Sequence, residues 1–211
     1  MDIVGPEIHS YSESCTSPEP HLLRQINRET YARMMMPRML SGHLQGRFLS
    51  MVSKMIQPGT ILEIGTYTGY SAICLAEGLA PGGKIITMDI NEELEERVRN
   101  YFQLSGLNES IDYHIGDALT IIPTLAGPFD LVWIDADKEN YSAYFDLIID
   151  RVAGGGIILA DNVLWSGKVL EKEPDKETKA IQAFNAKIHD DTRVENLLLP
   201  IRDGIMVIRK I

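Results

Sequence analysis

Hydrophobic and polar residues repeat along this chain with two different periods, and the change falls near residue 60. Before it, "PEPHLLRQINRETYARMM" and "GHLQGRFLSMVSKMI" place apolar residues three and four apart, which lines them along one stripe of an α-helix. From Ile61 onward short continuous apolar runs take over, each followed by a helical stretch. "TILEIG" precedes Tyr70 to Leu79, "KIITMD" precedes Glu92 to Leu104, and "IDYHIG" precedes Ala118 to Leu125. "FDLVWID" then precedes Asn140 to Val152, and "GGIILAD" precedes Lys176 to His189. Short apolar runs bounded by turn residues suit strands covered on both faces, so this succession predicts an α/β fold with a doubly wound, mostly parallel sheet. The end differs: "RVENLLLPI" and "GIMVIRKI", joined by "RDG", form a hairpin that adds an antiparallel strand and brings the sheet to seven. Residues 1–57 are a helical cover, residues 58–211 a Rossmann-like core, and the two make one domain. The irregular segment from Asn162 to Thr178 is long enough to be a functional loop.

Composition narrows the partners. A chain of 211 residues that is 45% hydrophobic buries a sizeable core. Cys15 and Cys74 are too few for a disulfide framework, and "MDIVGPEIHSY" lacks the basic-then-apolar order of a signal peptide. No run approaches the ~20 apolar residues of a membrane span, so the expected setting is the cytoplasm. A net charge of -10 argues against nucleic acid or an anionic membrane as partner. A local basic patch of Arg24, Arg28, Arg33 and Arg38 keeps tRNA open as an alternative.

In such a sheet ligands gather beyond the carboxyl ends of the strands, where the winding reverses. The first strand ends in "LEIGTYTGYSA", whose Gly65 and Gly69 let the backbone turn tightly and approach a ligand. The spacing matches neither the dinucleotide fingerprint nor a P-loop, so a pyrophosphate is not the expected guest. Asp89 ends the second run and Asp117 the third. An acidic residue some twenty positions after the glycine turn grips a ribose diol. Two acids and no cation favour a nucleoside bearing positive charge, of which S-adenosylmethionine is an example. The bland alternative is that the glycines only turn the chain and Asp89 caps a helix near Asn91.

Asp135 and Asp161 each end an apolar run, and Asn162 follows the second. If those strands are neighbours, three hard oxygen ligands meet there, a set that suits Mg²⁺ better than zinc. Taken singly, Asp135 and Asp137 are also candidate helix caps. A serine-hydrolase elbow at "GYSAI" fails because no histidine follows the last strands; His189 precedes them.

"LEIGTYTGYSA", "MDIN", "IDADKENY" and "ADNVLWSGKV" together resemble the cation-dependent O-methyltransferases of the catechol and caffeoyl-CoA group. These are class I S-adenosylmethionine-dependent methyltransferases, and the resemblance covers about residues 39–211. It implies that Asp135, Asp161 and Asn162 hold Mg²⁺ or another divalent cation such as Mn²⁺ or Ca²⁺, with Lys138 as catalytic base. It implies a cofactor site lined by Glu63, Gly65, Thr66, Tyr67, Ser71, Asp89, Ile90, Asp117, Ala118, Asp135 and Asp137. The Met39 to Ser41 segment would close over the cofactor's methionine end. Trp165 either covers the acceptor or anchors core or dimer interface. The chain departs from the vertebrate catechol type, which carries a tryptophan at position 137 and a proline at position 166, so a more open acceptor pocket is expected. The implied acceptor is a vicinal dihydroxy aromatic or its CoA thioester, and the implied assembly a homodimer. Some bacterial relatives methylate hydroxylated uridine in tRNA, which is the competing activity.

Overall fold

The structure, a computed structural model, describes residues 4–211. Three helices come first: α1 (Pro6–Ser14), α2 (His21–Arg33) and α3 (Gly42–Ile56). The core then runs β1 (Thr60–Ile64), α4 (Tyr70–Ala76), β2 (Lys84–Asp89), α5 (Glu95–Ser105), β3 (Ile111–Ile115) and α6 (Ala118–Ile121). It continues with β4 (Phe129–Ile134), α7 (Tyr141–Ile148), β5 (Val152–Ala160), α8 (Lys176–Asp190), β6 (Val194–Leu199) and β7 (Ile205–Lys210).

The seven strands lie in the order β3-β2-β1-β4-β5-β7-β6. Winding proceeds outward from β1 to β3 and restarts at β4 on the other side of β1, so the reversal falls between β1 and β4. Successive strand residues face opposite sides of the sheet. Ile61, Ile85, Leu131, Trp133 and Leu159 accordingly pack with residues of α2 to α5. Leu62, Ile64, Ile86, Val132, Ile134 and Ile158 pack on the other face with α6 to α8. With both faces covered, the central strands read as near-continuous apolar runs, while the edge strands β3 and β6 expose Asp112 and Glu195.

The expected hairpin is present, with β7 antiparallel to β5 and β6 antiparallel to β7. Because β7 inserts next to β5, the outer edge is β6, and it runs in the direction of the first five strands. The helix expected from Asn140 is shorter and set back. A 3-10 turn covers Lys138–Asn140, α7 ends at Ile148, and β5 opens at Val152. Between the pairs Phe129–Val152 and Leu131–Ile157 the ladder shifts, and Gly154–Gly156 fall in that irregular part.

The amino-terminal helices are fastened at several points. Arg47 forks onto Glu77 at 2.9 and 2.7 Å, where Ser50 and Lys54 also donate. Tyr70 donates to Glu19 at 2.5 Å and Tyr101 to Glu29 at 2.8 Å. Gly46 permits the close crossing of α3 over α4, since a Cβ there would sit 2.5 Å from the Tyr70 ring.

Candidate active site

The crevice opens beyond the carboxyl ends of β3, β2, β1, β4 and β5. On its first side the glycine turn after β1 follows a narrow path. Gly65 has φ +100°, and a Cβ there would lie 2.0 Å from the carbonyl oxygen of Asp135. The turn of β1 is therefore pressed against the end of β4, and only glycine fits. Asp89 is not the cap of the following helix. Its carboxylate accepts from Tyr67 N at 2.6 Å and from Asn91 N at 2.9 Å, tying the end of β2 to the glycine turn. The cap is Asn91, which accepts from Glu93 N. Asp117 does cap α6, accepting from Leu119 N at 2.8 Å, with Ala118 buried behind it.

Glu63 points back under the turn and is fully buried. It accepts from the Thr87 hydroxyl, which itself pairs with Thr66 at 2.6 Å. Burial pushes the Glu63 carboxyl up to about 8, helped by the charges of Asp135 and Asp89 and opposed by bonds from Ser71 and Thr87. Ile90 is exposed beside the turn, and Met39 lies exposed in a 3-10 turn at Pro37–Met39. Tyr67 donates to Met36 O at 3.1 Å, which holds that segment near the glycine turn, and Ser41 is buried at the start of α3.

On the second side β4 and β5 are parallel neighbours, with Ile134 beside Ala160. Asp135 and Asp161 thus emerge side by side, Asp161 N bonding to Ile134 O at 3.0 Å. Asp161 is 2% exposed and its Oδ1 has no hydrogen-bond partner among the described residues. Burial and the neighbouring Asp135 charge push its carboxyl up to about 7, against the pull of Arg202 and Lys138. Gln45 lies against this carboxyl and favours its ionised form, yet Gln45 Nε2 makes no well-aligned bond. Asn162 adopts φ 58°, a left-handed conformation asparagine tolerates. Among the described residues no three His, Cys, Asp or Glu side chains group around a metal position, so a cation here would lean on Asn162 and water.

Lys138 lies between these features, and it is buried rather than solvated. Its Nζ donates to Asp135 at 3.1 Å and to the Tyr141 hydroxyl at 2.6 Å. Tyr141 is held well above its ordinary pKa by burial and the nearby carboxylates, so it keeps its proton and donates to Asp161 O at 3.1 Å. The ammonium also stands 4.7 Å from the Tyr141 ring centroid and 5.8 Å from that of Trp165. Trp165 is half-buried, packs against the core and forms a wall beside Lys138, with φ 46°. Asp137 is exposed and takes bonds from Tyr144 and, at 2.6 Å, from Asn140.

A family model described as O-methyltransferase matches residues 12–211. The chain belongs to the O-methyltransferase family. A caffeoyl-CoA O-methyltransferase of Medicago sativa is 34% identical over 212 residues, covering 94% of this chain and 86% of that protein. An SAH-bound methyltransferase of Podospora anserina superposes with a TM-score of 0.91 at 29% identity, covering 97% of this chain and 94% of the other. An O-methyltransferase of Bacillus cereus in complex with SAH gives 0.89 at 28% identity, with 97% of each chain covered.

Three side chains of this O-methyltransferase site, Gln45, Arg202 and Tyr144, carry no sequence signal of their own, and Tyr141 only closes a quoted motif without a role assigned to it. Gln45 sits inside an amphipathic helix, Arg202 in a hairpin turn, and Tyr141 and Tyr144 at positions that only pack in a helical projection. The Asn162–Ser166 stretch docks on that hairpin turn: Val163 N bonds Gly204 O at 3.1 Å, Leu164 N bonds Asp203 O at 2.9 Å, and Ser166 N bonds Asp203 Oδ1 at 2.5 Å.

Proposed function

We propose that this O-methyltransferase uses S-adenosylmethionine and a divalent cation, Mg²⁺ foremost, to methylate one hydroxyl of a vicinal dihydroxy aromatic or its CoA thioester. The observation that carries this reading is the buried meeting of Asp135, Lys138 and Asp161, with one oxygen of Asp161 unpartnered. An uncompensated carboxylate oxygen is costly unless a partner arrives. Two carboxylates and an amide oxygen match the hard-ligand preference of Mg²⁺, so Asp135, Asp161 and Asn162 would hold the ion. Bound there, a divalent cation supplies Lewis-acid stabilisation of a phenolate whose parent phenol has a pKa of about 10.

The chain's own side chains do the rest. Lys138, fixed by Asp135 and Tyr141, would take the proton of the attacking hydroxyl at Nζ as the free amine and, once an ammonium, stabilise the phenolate. The turn at Gly65 and the carboxylates of Asp89 and Asp117 would line the position of the methyl donor, whose sulfonium suits their negative charge, while buried Glu63 braces the turn from beneath. Trp165 walls the acceptor and Tyr141 keeps water from the inner side of Lys138. The SAH-bound relatives support the donor assignment.

The test is methyl transfer from labelled S-adenosylmethionine to a panel of catechols, with Mg²⁺ or with EDTA. Turnover that needs the cation supports the reading, and equal turnover in EDTA removes the metal role. The exposed Arg24, Arg28, Arg33 and Arg38 favour a second reading, methylation of hydroxyuridine in tRNA. Failure on every catechol, together with tRNA binding that weakens steeply with salt, would move the assignment there.

A further inference from the structure

Resting on the proposed catechol-type reaction, we infer that Arg202 and the cleft it lines receive a short carboxylate tail of the acceptor. The preferred substrate is then a dihydroxy aromatic acid, rather than a neutral catechol or a bulky thioester. Arg202 sits in the β6–β7 turn at φ 50°, a conformation that costs a residue carrying a Cβ about 1 kcal/mol or more and that glycine would take freely. The turn nevertheless places its guanidinium at the floor of the site. Nη1 donates to Ser41 O and Gln45 Oε1, and Gln45 in turn lies against Asp161. Nε and Nη2 are uncommitted among the described residues, and no carboxylate pairs with Arg202 there. Asp203, its neighbour, is occupied by Ser166 N.

On the outer side of Arg202 lies a cleft of about 270 Å³ between the amino-terminal helices and the Leu40–Leu44 stretch, reached by His9, Tyr31, Ser41 and His43. The acid in its wall, Glu13, is paired with His9 at 3.4 Å. A planar guanidinium whose Nε and Nη2 are uncommitted, and which no carboxylate holds in an ion pair among the described residues although Asp161 feels its charge, is a fitting partner for a carboxylate, which it can grip bidentately. The cleft falls below the ~300 to 1,000 Å³ that drug-sized ligands occupy, which suits a two- or three-carbon acid tail, and a thioester lacks the carboxylate that the guanidinium would grip.

The experiment compares 3,4-dihydroxyphenylpropenoate with its methyl ester, which keeps the ring and removes the charge, in the native enzyme and in Arg202→Gln and Arg202→Lys. The native KM ratio, ester over acid, should be on the order of tenfold or more and should fall toward unity in Arg202→Gln, with the kcat ratio unmoved and partial retention in Arg202→Lys. Calorimetric titration of the acid, without methyl donor, should show the same loss of affinity, and thermal melting checks that each variant is folded. A structural role for Arg202 would not distinguish the two acceptors. Equal KM values in the native enzyme, an unchanged ratio in Arg202→Gln, or a higher kcat/KM for the CoA thioester than for the free acid would each overturn the inference alone. Turnover of neither acceptor overturns it together with the proposed function.

Discussion

Glu77 and Asp161 are both carboxylates withdrawn from water, and they are treated in opposite ways. Glu77, where α3 meets α4, is surrounded by Arg47, Ser50 and Lys54 at 2.7 to 2.9 Å. Burial pushes its carboxyl up, but these partners outweigh burial and hold it at about 2. Asp161 has an oxygen with no partner and is pushed up to about 7. The first is a finished contact that secures the cover. The second is unfinished by the protein alone, which is the mark of a group that waits for something to bind.

The largest contrast should come from removing each carboxylate. Asp161→Ala is expected to lower turnover by about a hundredfold or more while leaving the metal-free melting temperature level or raised. Glu77→Ala strands Arg47 and should cost about 3 kcal/mol, lowering Tm by about 6 to 12 °C, with the folded fraction still active. A comparable fall in Tm for Asp161→Ala would erase the distinction. Next in size, Lys138→Ala should reduce turnover on the order of a hundredfold with little change in donor affinity measured by calorimetry; undiminished turnover would refute its role.

The two carboxylates also give stability slopes of opposite sign. Glu77, depressed to about 2, contributes fully above the ordinary carboxylate range, and that contribution is lost as pH falls through about 2. Asp161, raised to about 7, keeps its proton in the folded chain while the unfolded chain releases it near 3.8, so its cost accumulates between these values. A bound cation relieves that cost, and protons compete with it. The Mg²⁺-induced rise in Tm over EDTA should therefore grow from pH 6 to pH 8, and a gain that shrinks over that interval would contradict the ligand assignment. The smallest effect is Tyr70→Phe, which frees Glu19 and should cost about 1 kcal/mol, or 2 to 4 °C, with no selective loss of activity.

Much of this contrast was legible in the sequence on one side only. Asp135, Asp161 and Asn162 announce themselves because they follow apolar runs at the points where buried strands must surface, while the adjacency of β4 and β5 that brings them together is supplied by the structure. The same logic flagged Asp89, though not that Asn91 would take over the cap. Lys138 was legible only through the resemblance carried by "IDADKENY", and the structure sets it in a 3-10 turn running straight into α7, with its ammonium 5.8 Å from the Trp165 ring centroid. Gln45 and Arg202 were illegible: they approach Asp161 from positions 116 and 41 residues away along the chain, through contacts between elements that no local period encodes. Left-handed residues at Asn162, Trp165 and Ser166 are likewise set by docking of the loop on the hairpin turn.

The contact of Gly65 with the Asp135 carbonyl bears on how such a protein can change over generations. The glycine turn after β1 and the end of β4 leave only 2.0 Å between the Asp135 carbonyl oxygen and any Cβ at position 65, so neither can be remodelled by itself. Residues 167–178, the part of the loop beyond the stretch docked on the hairpin turn, stand clear of that joint. New acceptors can be sampled there, one substitution at a time, without disturbing the machinery that handles the methyl group.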